Sequence, residues 1–431
     1  MNIKTRLTIL NFLEFAVWGA YLTSMGGYLA NVGLGAYIGY FYSVQGFVSL
    51  LMPALMGIVA DRWMQAQKVL SMCHFFAGAM MLVAYLYCIL SGDNVEFPVL
   101  FCLYTVSVAF FMPTIALTNS VSYNALDKAG LDSVKTFPPI RVFGTIGFIV
   151  SMWIVDLAGW QTTSNQFMWS GGLSIILALY SLTLPQCVTR RNVVYQTLLQ
   201  SFGLEAFKLF RNYRMALFLI FSMLLGCCLQ ITNGYAGPFL QSFGIDEMYK
   251  GTFGVEHSNI LISLSQISET LCILLIPVCL SKFGIKRVML MAMMAWVLRF
   301  GFFAIGNPGN GVWLLILSMI VYGIAFDFFN ISGSLFVDKE TDLSIRNSAQ
   351  GLFMMMTNGF GASLGMLAAG WVMNIYTINE NGLMISNETT GGWTMAWSIF
   401  AAYALIVAIA FSILFKYEHS NNQEKILLRW K

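Results

Sequence analysis

The run FPVLFCLYTVSVAFFMPTIALTNSVSYNAL, Phe97 to Leu126, contains no Asp, Glu, Lys or Arg. A helix rises about 1.5 Å per residue, so roughly 20 apolar residues cross the hydrocarbon core of a bilayer. This run is long enough to do so. Runs of the same kind recur near 7–30, 36–60, 69–91, 97–125, 137–159, 166–184, 214–240, 258–281, 286–305, 311–337, 346–376 and 393–415. Of the 431 residues 58% are hydrophobic and 10% charged. Soluble domains carry about 25% charged residues, so lipid must face much of this chain. The runs are continuous and do not alternate, which excludes a lipid-facing β-barrel. Backbone facing hydrocarbon must bond to itself, so the runs are predicted to be helices.

Lys and Arg sort by loop. All but Lys250, Arg141 and Arg299 fall at the termini or in the loops after even-numbered spans, among them Lys4, Arg62, Lys128, Arg190, Arg191, Lys286 and Arg287. Basic loops stay cytoplasmic, which predicts both termini inside. The net charge of +3 therefore reflects topology and implies no nucleic-acid partner. The first apolar run is too long for a signal peptide and lacks a clear small-residue cleavage site, so it reads as a retained span. The eight cysteines make no CxxC pair or metal spacing, and Cys73, Cys88, Cys102, Cys227, Cys228, Cys272 and Cys279 read as inert residues of the spans. The three histidines are scattered, and no metal site is expected. The sequon at Asn387–Thr389 falls in a predicted outer loop.

Two halves are visible. Gly19, Leu22, Gly27 and Tyr28 in span one match Gly226, Leu229, Gly234 and Tyr235 in span seven. The loop after span two, Gly57 to Arg62 with Lys68 beyond, is echoed after span eight by Ser281, Lys282, Gly284, Lys286 and Arg287. The expected division is an N-terminal six-helix half over 1–184, a cytoplasmic linker with an amphipathic helix over 185–213, a C-terminal half over 214–416 and a tail over 417–431. Duplicated halves place a binding site near the midplane between them. Twelve spans, a central loop and the repeated loop signature resemble the major facilitator superfamily. The first loop copy departs from that pattern at Met64, Gln65 and Ala66, and the second lacks the acid.

Polar residues inside spans are costly, about 2.5–3.5 kcal/mol for a central Asp on the insertion scale, and mark working sites. Glu14, Glu269 and Asp327 lie well inside spans. Asp156 lies at the outer end of span five, where water is expected to reach it. Arg299 lies near the outer end of span nine, where snorkelling is the simpler reading. Glu14 is open between lining a cavity and pairing with another helix. Helical spacing places Gln266 with Glu269, Gln230 with Asn233, Asp327 with Asn330, and Tyr322 with Phe326. In span five Arg141, Thr145 and Phe148 share a face. Amides and carboxylates suit a polyhydroxylated solute and aromatic faces suit a planar ring. A sugar joined to a base fits both; a plain sugar fits as well. No nucleophile–base set, cofactor site or phosphate loop is present in the sequence, which argues against an enzyme.

Several segments resemble the bacterial nucleoside:proton symporters of that superfamily. They are Phe137–Phe148, Phe221–Gly226, Leu229–Asn233, Ser265–Thr270, Ser318–Gly323, Phe326–Gly333 and Ser348–Gly351. The resemblance implies an all-α membrane protein of twelve transmembrane helices in two pseudo-symmetric six-helix halves. It implies a monomer in the bacterial inner membrane taking up purine and pyrimidine nucleosides with protons, without a cofactor. It also implies a substrate site of Arg141, Thr145, Phe148, Gln230, Asn233, Gln266, Glu269, Tyr322, Phe326 and Asp327. Asp327 or Glu269 would carry the proton and Arg141 the counter-charge. A sugar:proton transporter on the same fold and a membrane solute sensor are the alternatives.

Overall fold

The computed structural model describes residues 2–92, 94–187, 204–342, 345–378, 384 and 390–417. Of the expected linker over 185–213, residues 188–203 lie outside the described residues, as do the sequon and the tail beyond Tyr417; its end, Leu204–Arg211, is a 3-10 helix. Among the described residues the predicted spans are helical apart from local breaks, and the only isolated bridge pairs Ile378 with Met384.

Span one is broken. Helix α1 runs Ile3–Gly19 and α2 Met25–Asn31, with a turn at 20–24 between them. Spans two to six are α3 Ile38–Arg62, α4 Ala66–Ser91, α5 Phe97–Lys128, α6 Ser133–Leu157 and α7 Asn165–Ser181. Span seven is broken like span one, into α8 Tyr213–Leu229 and α9 Ile231–Ser242 at Gln230. The offset of the sequence repeat carries this break onto the turn at 20–24. Both broken spans also start alike: the Asn2 side chain accepts from the backbone N–H of Lys4, and that of Asn212 accepts from Arg214 and Met215. Such caps satisfy N–H groups that a helix start leaves without partners.

Next come α10 Ser258–Cys272 and α11 Ile276–Ile305. Together they form a 48-residue apolar run. At about 1.5 Å per residue that is more than twice the bilayer core, so it must cross twice. Gly284, at φ 76° and ψ 167°, makes the reversal between the crossings; a side chain there would strain the backbone. Helices α12 Val312–Glu340, α13 Arg346–Met354, α14 Ala362–Thr377 and α15 Gly392–Leu414 complete the bundle, with a π-helical stretch, Met355–Gly361, joining α13 to α14. With the long run counted twice, and the broken first span and the short α7 included, the described helices account for twelve crossings. The protein is a multi-pass, all-α membrane protein.

The bundle is apolar outside and polar within. Leu86, Leu90, Leu274, Trp371, Ile406 and Ile413 are exposed on outer faces, whereas Glu14, His74, Asp156, Arg299 and Asp327 are buried. Before residue 185, α1 packs on α6 and α7, α4 on α5 and α7, and α3 on α5. After residue 213, α11 packs on α12 and α15, and α10 on α12. The main junctions between the two groups are α3 with α14 and with the stretch Met355–Gly361, α6 with α10, and α2 with α9.

At the end of the bundle away from the chain termini these junctions are tight. A Cβ on Gly26 of α2 would lie 2.1 Å from the Gly234 carbonyl oxygen of α9, so only glycine allows the approach. Asp156 is not in water, contrary to the sequence expectation: it is 3% exposed. The first turn of α10 sits on it. Its carboxylate accepts from the N–H groups of Asn259 (3.0 Å) and Ile260 (3.2 Å) and pairs with His257 at 2.5 Å. Gln161 accepts from Ser258 Oγ (2.5 Å), and Asn259 donates to Ser24 Oγ (2.7 Å) in the break of span one. Residues of the first group thus cap a helix of the second.

A candidate substrate and proton site

The interior of the second group is organised around a buried arginine. Arg299 does not snorkel, contrary to expectation; it is 2% exposed. Its Nη1 donates to the Ser318 carbonyl (2.8 Å) and to Ser265 Oγ (3.3 Å), and its Nη2 donates to Thr232 Oγ1 (3.0 Å). These partners lie on α12, α10 and α9, so one guanidinium ties three helices together. It also lies 4.5 Å from the Tyr322 ring centroid, within the range of cation–π attraction. Spacing within the sequence placed Arg299 at a span end. Its partners come from distant spans, so only the Ser and Thr content of those spans hinted at its place.

Around this anchor the predicted stripes take position. Tyr322 and Phe326 stand one helical turn apart with parallel rings, 5.8 Å between centroids and 6° between planes. Trp296 meets Tyr322 edge-on at 5.9 Å. Asn233 Nδ2 donates to Gln230 Oε1 at 2.7 Å, at the break of span seven beside Thr232. Ser268 donates to the Ile320 carbonyl, which clamps α10 to α12 beside Glu269 and Asp327. Glu269 lies within electrostatic reach of Asp327, Tyr322 and, from α6 in the first group, Arg141. One carboxylate oxygen of Asp327, Oδ2, is buried without a hydrogen-bond partner among the described residues.

On α6, the Arg141 guanidinium lies 3.8 Å over the Phe15 ring of α1. Phe148 is buried and takes the edge of Trp18 at 6.1 Å. Trp153 Nε1 donates to Ser263 Oγ at 2.9 Å, fixing α6 against α10. Thr145 and Gln266 are half-buried on the same helices. A small cavity nearby is lined by Leu229, Trp296, Phe326, Asn330 and Asn358. The structure therefore brings the two acids, Arg141 and the ring pair into one region where α6 meets α10 and α10 packs on α12. Sequence reasoning missed Trp296, Phe15 and Arg299, which position that region. Glu14 stands apart from it and pairs with His74 of α4. No three-residue metal cluster occurs among the described residues.

A twelve-crossing bundle with acids and an arginine where its two helix groups meet is a secondary transporter of major facilitator type. Its family is specific: the chain matches the nucleoside H+ symporter family over residues 1–420 and belongs to it. The nucleoside permease NupG of Escherichia coli (strain K12) is 47% identical over 424 residues, 97% of each chain. The xanthosine permease of the same organism is 45% identical over 429 residues, 99% of this chain and 98% of its own. The crystal structure of the nucleoside transporter NupG in a mutant form has a TM-score of 0.89 at 46% identity, covering 96% of this chain and all of that one. The E. coli xylose transporter XylE, at 10% identity and a TM-score of 0.61 over 96% of this chain and 100% of that one, shares the fold. The relatives are permeases, not enzymes.

Proposed function

We propose that the protein takes up nucleosides together with protons across the bacterial inner membrane, as a monomer in the bilayer with both termini in the cytoplasm. Residues 1–184 and 214–416 act as two bodies that rock about the site between them. The observation that carries this reading is the meeting of Arg141 with Glu269 across the α6–α10 contact, with Asp327 within electrostatic reach of Glu269, beside the parallel rings of Tyr322 and Phe326. Gln230, Asn233, Gln266 and Glu269 bind ribose hydroxyls and base edges. Phe326, with Tyr322 behind it, and Phe148 flank the base, and Thr145 lines the approach. Asp327 and Glu269 hold the transported proton. Its release and uptake follow the change between a wet cavity facing one side and a closed one, with Arg141 as the fixed counter-charge. The sealed junctions of α2 with α9 and of α6 with α10 are the outer gate, closed in this conformation.

The test is uptake of labelled uridine and adenosine into cells lacking their own nucleoside permeases, at several external pH values and with an uncoupler. Uptake is expected to rise at acid pH, to collapse with uncoupler, and to be competed by nucleosides but not by free sugars. Asp327→Asn is expected to abolish accumulation while leaving the protein in the membrane. Absence of uptake of both labels from a well-expressed protein overturns the assignment and leaves a sugar as the substrate.

A further inference from the structure

Glu14 is a fully buried acid that the substrate site does not use. Its Oε1 lies 2.6 Å from Thr114 Oγ1, and its Oε2 lies 2.9 Å from Thr118 Oγ1 and 2.8 Å from His74 Nε2. His74 Nδ1 is 3.1 Å from Ser174 Oγ, and Ser174 Oγ is 2.9 Å from the His74 carbonyl. His74 is likewise fully buried and Ser174 nearly so. Four helices, α1, α4, α5 and α7, contribute to this one chain of groups.

Counting donors and acceptors shows what the chain can do. A hydroxyl has one proton to give. When the Ser174 hydroxyl donates to the His74 carbonyl, its oxygen can only accept from His74, so Nδ1 must carry a proton. The Ser174 hydroxyl can turn to donate to Nδ1; then Nδ1 must be bare and the imidazole proton sits on Nε2, facing the Glu14 carboxylate. Every contact between the side chains survives in both arrangements. They differ by one proton on the Glu14–His74 pair. Thr114 has the same freedom: its Oγ1 lies 2.6 Å from both Glu14 Oε1 and the Phe111 carbonyl, so the carboxyl is served whether it accepts or donates.

We propose that Glu14, His74 and Ser174 form a second proton-binding site, in the first helix group, that loads and releases one proton through the turning of the Ser174 hydroxyl. The other ionisable groups facing it are Cys73 on α4 and Arg141 on α6, both within electrostatic reach of Glu14; α5 and α7 present the hydroxyls already named. The link to the substrate region is short. Phe15, next in the chain to Glu14, carries the Arg141 guanidinium on its ring, so the charge of the Glu14–His74 pair is felt where α6 presents its site residues. The proton site itself stands whether or not the substrate is a nucleoside.

The chain has three histidines. In a variant carrying His257→Gln and His419→Gln, reconstituted in lipid and labelled with ring-15N histidine, His74 alone reports. Nitrogen shifts would be followed across the pH range in which the protein stays folded. The expected result is that Nδ1 passes from protonated at low pH to bare at high pH. In an added Asp327→Asn variant the transition persists; in Glu14→Gln it moves or disappears. Ser174→Ala, which removes the turning hydroxyl, is expected to leave a single tautomer at all pH values. Should the double His variant not fold, the same spectra on the unmutated chain, with His74 assigned by its loss in His74→Gln, answer the question. An Nδ1 state that stays constant across the range makes the network a fixed structural pair and overturns the proposal.

Discussion

Gly26→Ala tests the outer gate most directly. The added Cβ would lie 2.1 Å from the Gly234 carbonyl oxygen and 3.2 Å from Pro238 Cγ. An ordinary contact is about 3.5 Å, so α2 and α9 must part by roughly 1.4 Å. The nearer obstacle is backbone, which cannot swing aside as a side chain can. Overpacking of this kind costs about 1–3 kcal/mol. The clash exists only where α2 and α9 touch, so that state alone bears the cost, and its population relative to the opened state falls by roughly 5- to 150-fold. Spin labels at positions 31 and 248, on the ends of the two helix groups and in a background without native cysteines, would be read by double electron–electron resonance. The distance distribution is expected to shift to longer separations, and labelled-nucleoside uptake to slow. An unchanged distribution would show that the backbone absorbs the methyl group locally and that this contact is not a gate.

Asp156→Ala removes the cap from the first turn of α10 and the pairing with His257. Losing a cap costs about 1 kcal/mol, and the loss again falls on the closed gate, so the same labels are expected to move in the same direction by a smaller population change. Arg299→Ala strands Ser265, Thr232 and the Ser318 carbonyl around a void. Leaving a buried polar group without its partner costs about 1–3 kcal/mol, expected as a marked fall in the thermal unfolding temperature in detergent, whereas Arg299→Lys, which keeps the charge but loses the fork, is expected to fall between the native protein and Arg299→Ala. Nucleoside binding to Arg299→Lys, measured by calorimetry, is expected to weaken because the Tyr322 ring loses the planar, forked guanidinium that is fixed over it.

The crossings were legible because hydropathy depends on runs of residues, and Phe97–Leu126 or Val312–Val337 need no neighbour to be recognised. The breaks in spans one and seven were not legible. Ala20-Tyr-Leu-Thr-Ser24 and Gln230 leave the hydropathy of their spans nearly unchanged, and the groups that bond at or beside the breaks, Asn259 of α10 to Ser24 and Arg299 to Thr232, come from distant spans. The site was legible as helix faces, since Gln266 with Glu269 and Tyr322 with Phe326 follow from helical spacing alone. What spacing cannot say is which faces meet. Asp156 was assigned to water because it ends a span, yet the structure brings the start of α10, a hundred residues on, over its carboxylate. Glu14 remained open for the same reason: His74, Thr114 and Thr118 lie on other helices, and one stretch of sequence does not contain them.

The π-helical stretch Met355–Gly361 bears on how this chain can vary over evolutionary time. A π turn holds one residue more than an α turn. Deleting one residue there would restore regular helix and leave the faces beyond it nearly in register, because the π turn absorbs the extra residue; a deletion in the flanking α turns would instead turn everything beyond by about 100° and draw it in by about 1.5 Å. Helix α13 is seated on α12 and on the 3-10 turn Leu204–Arg211, and α14 is seated on α3, α8 and α15. Both seats cannot be kept after such a deletion. Outside the π stretch the length between Arg346 and Thr377 should therefore be far less tolerant of insertion and deletion than its residue identities are of substitution, and changes in length should collect at Met355–Gly361 and in the connections between crossings.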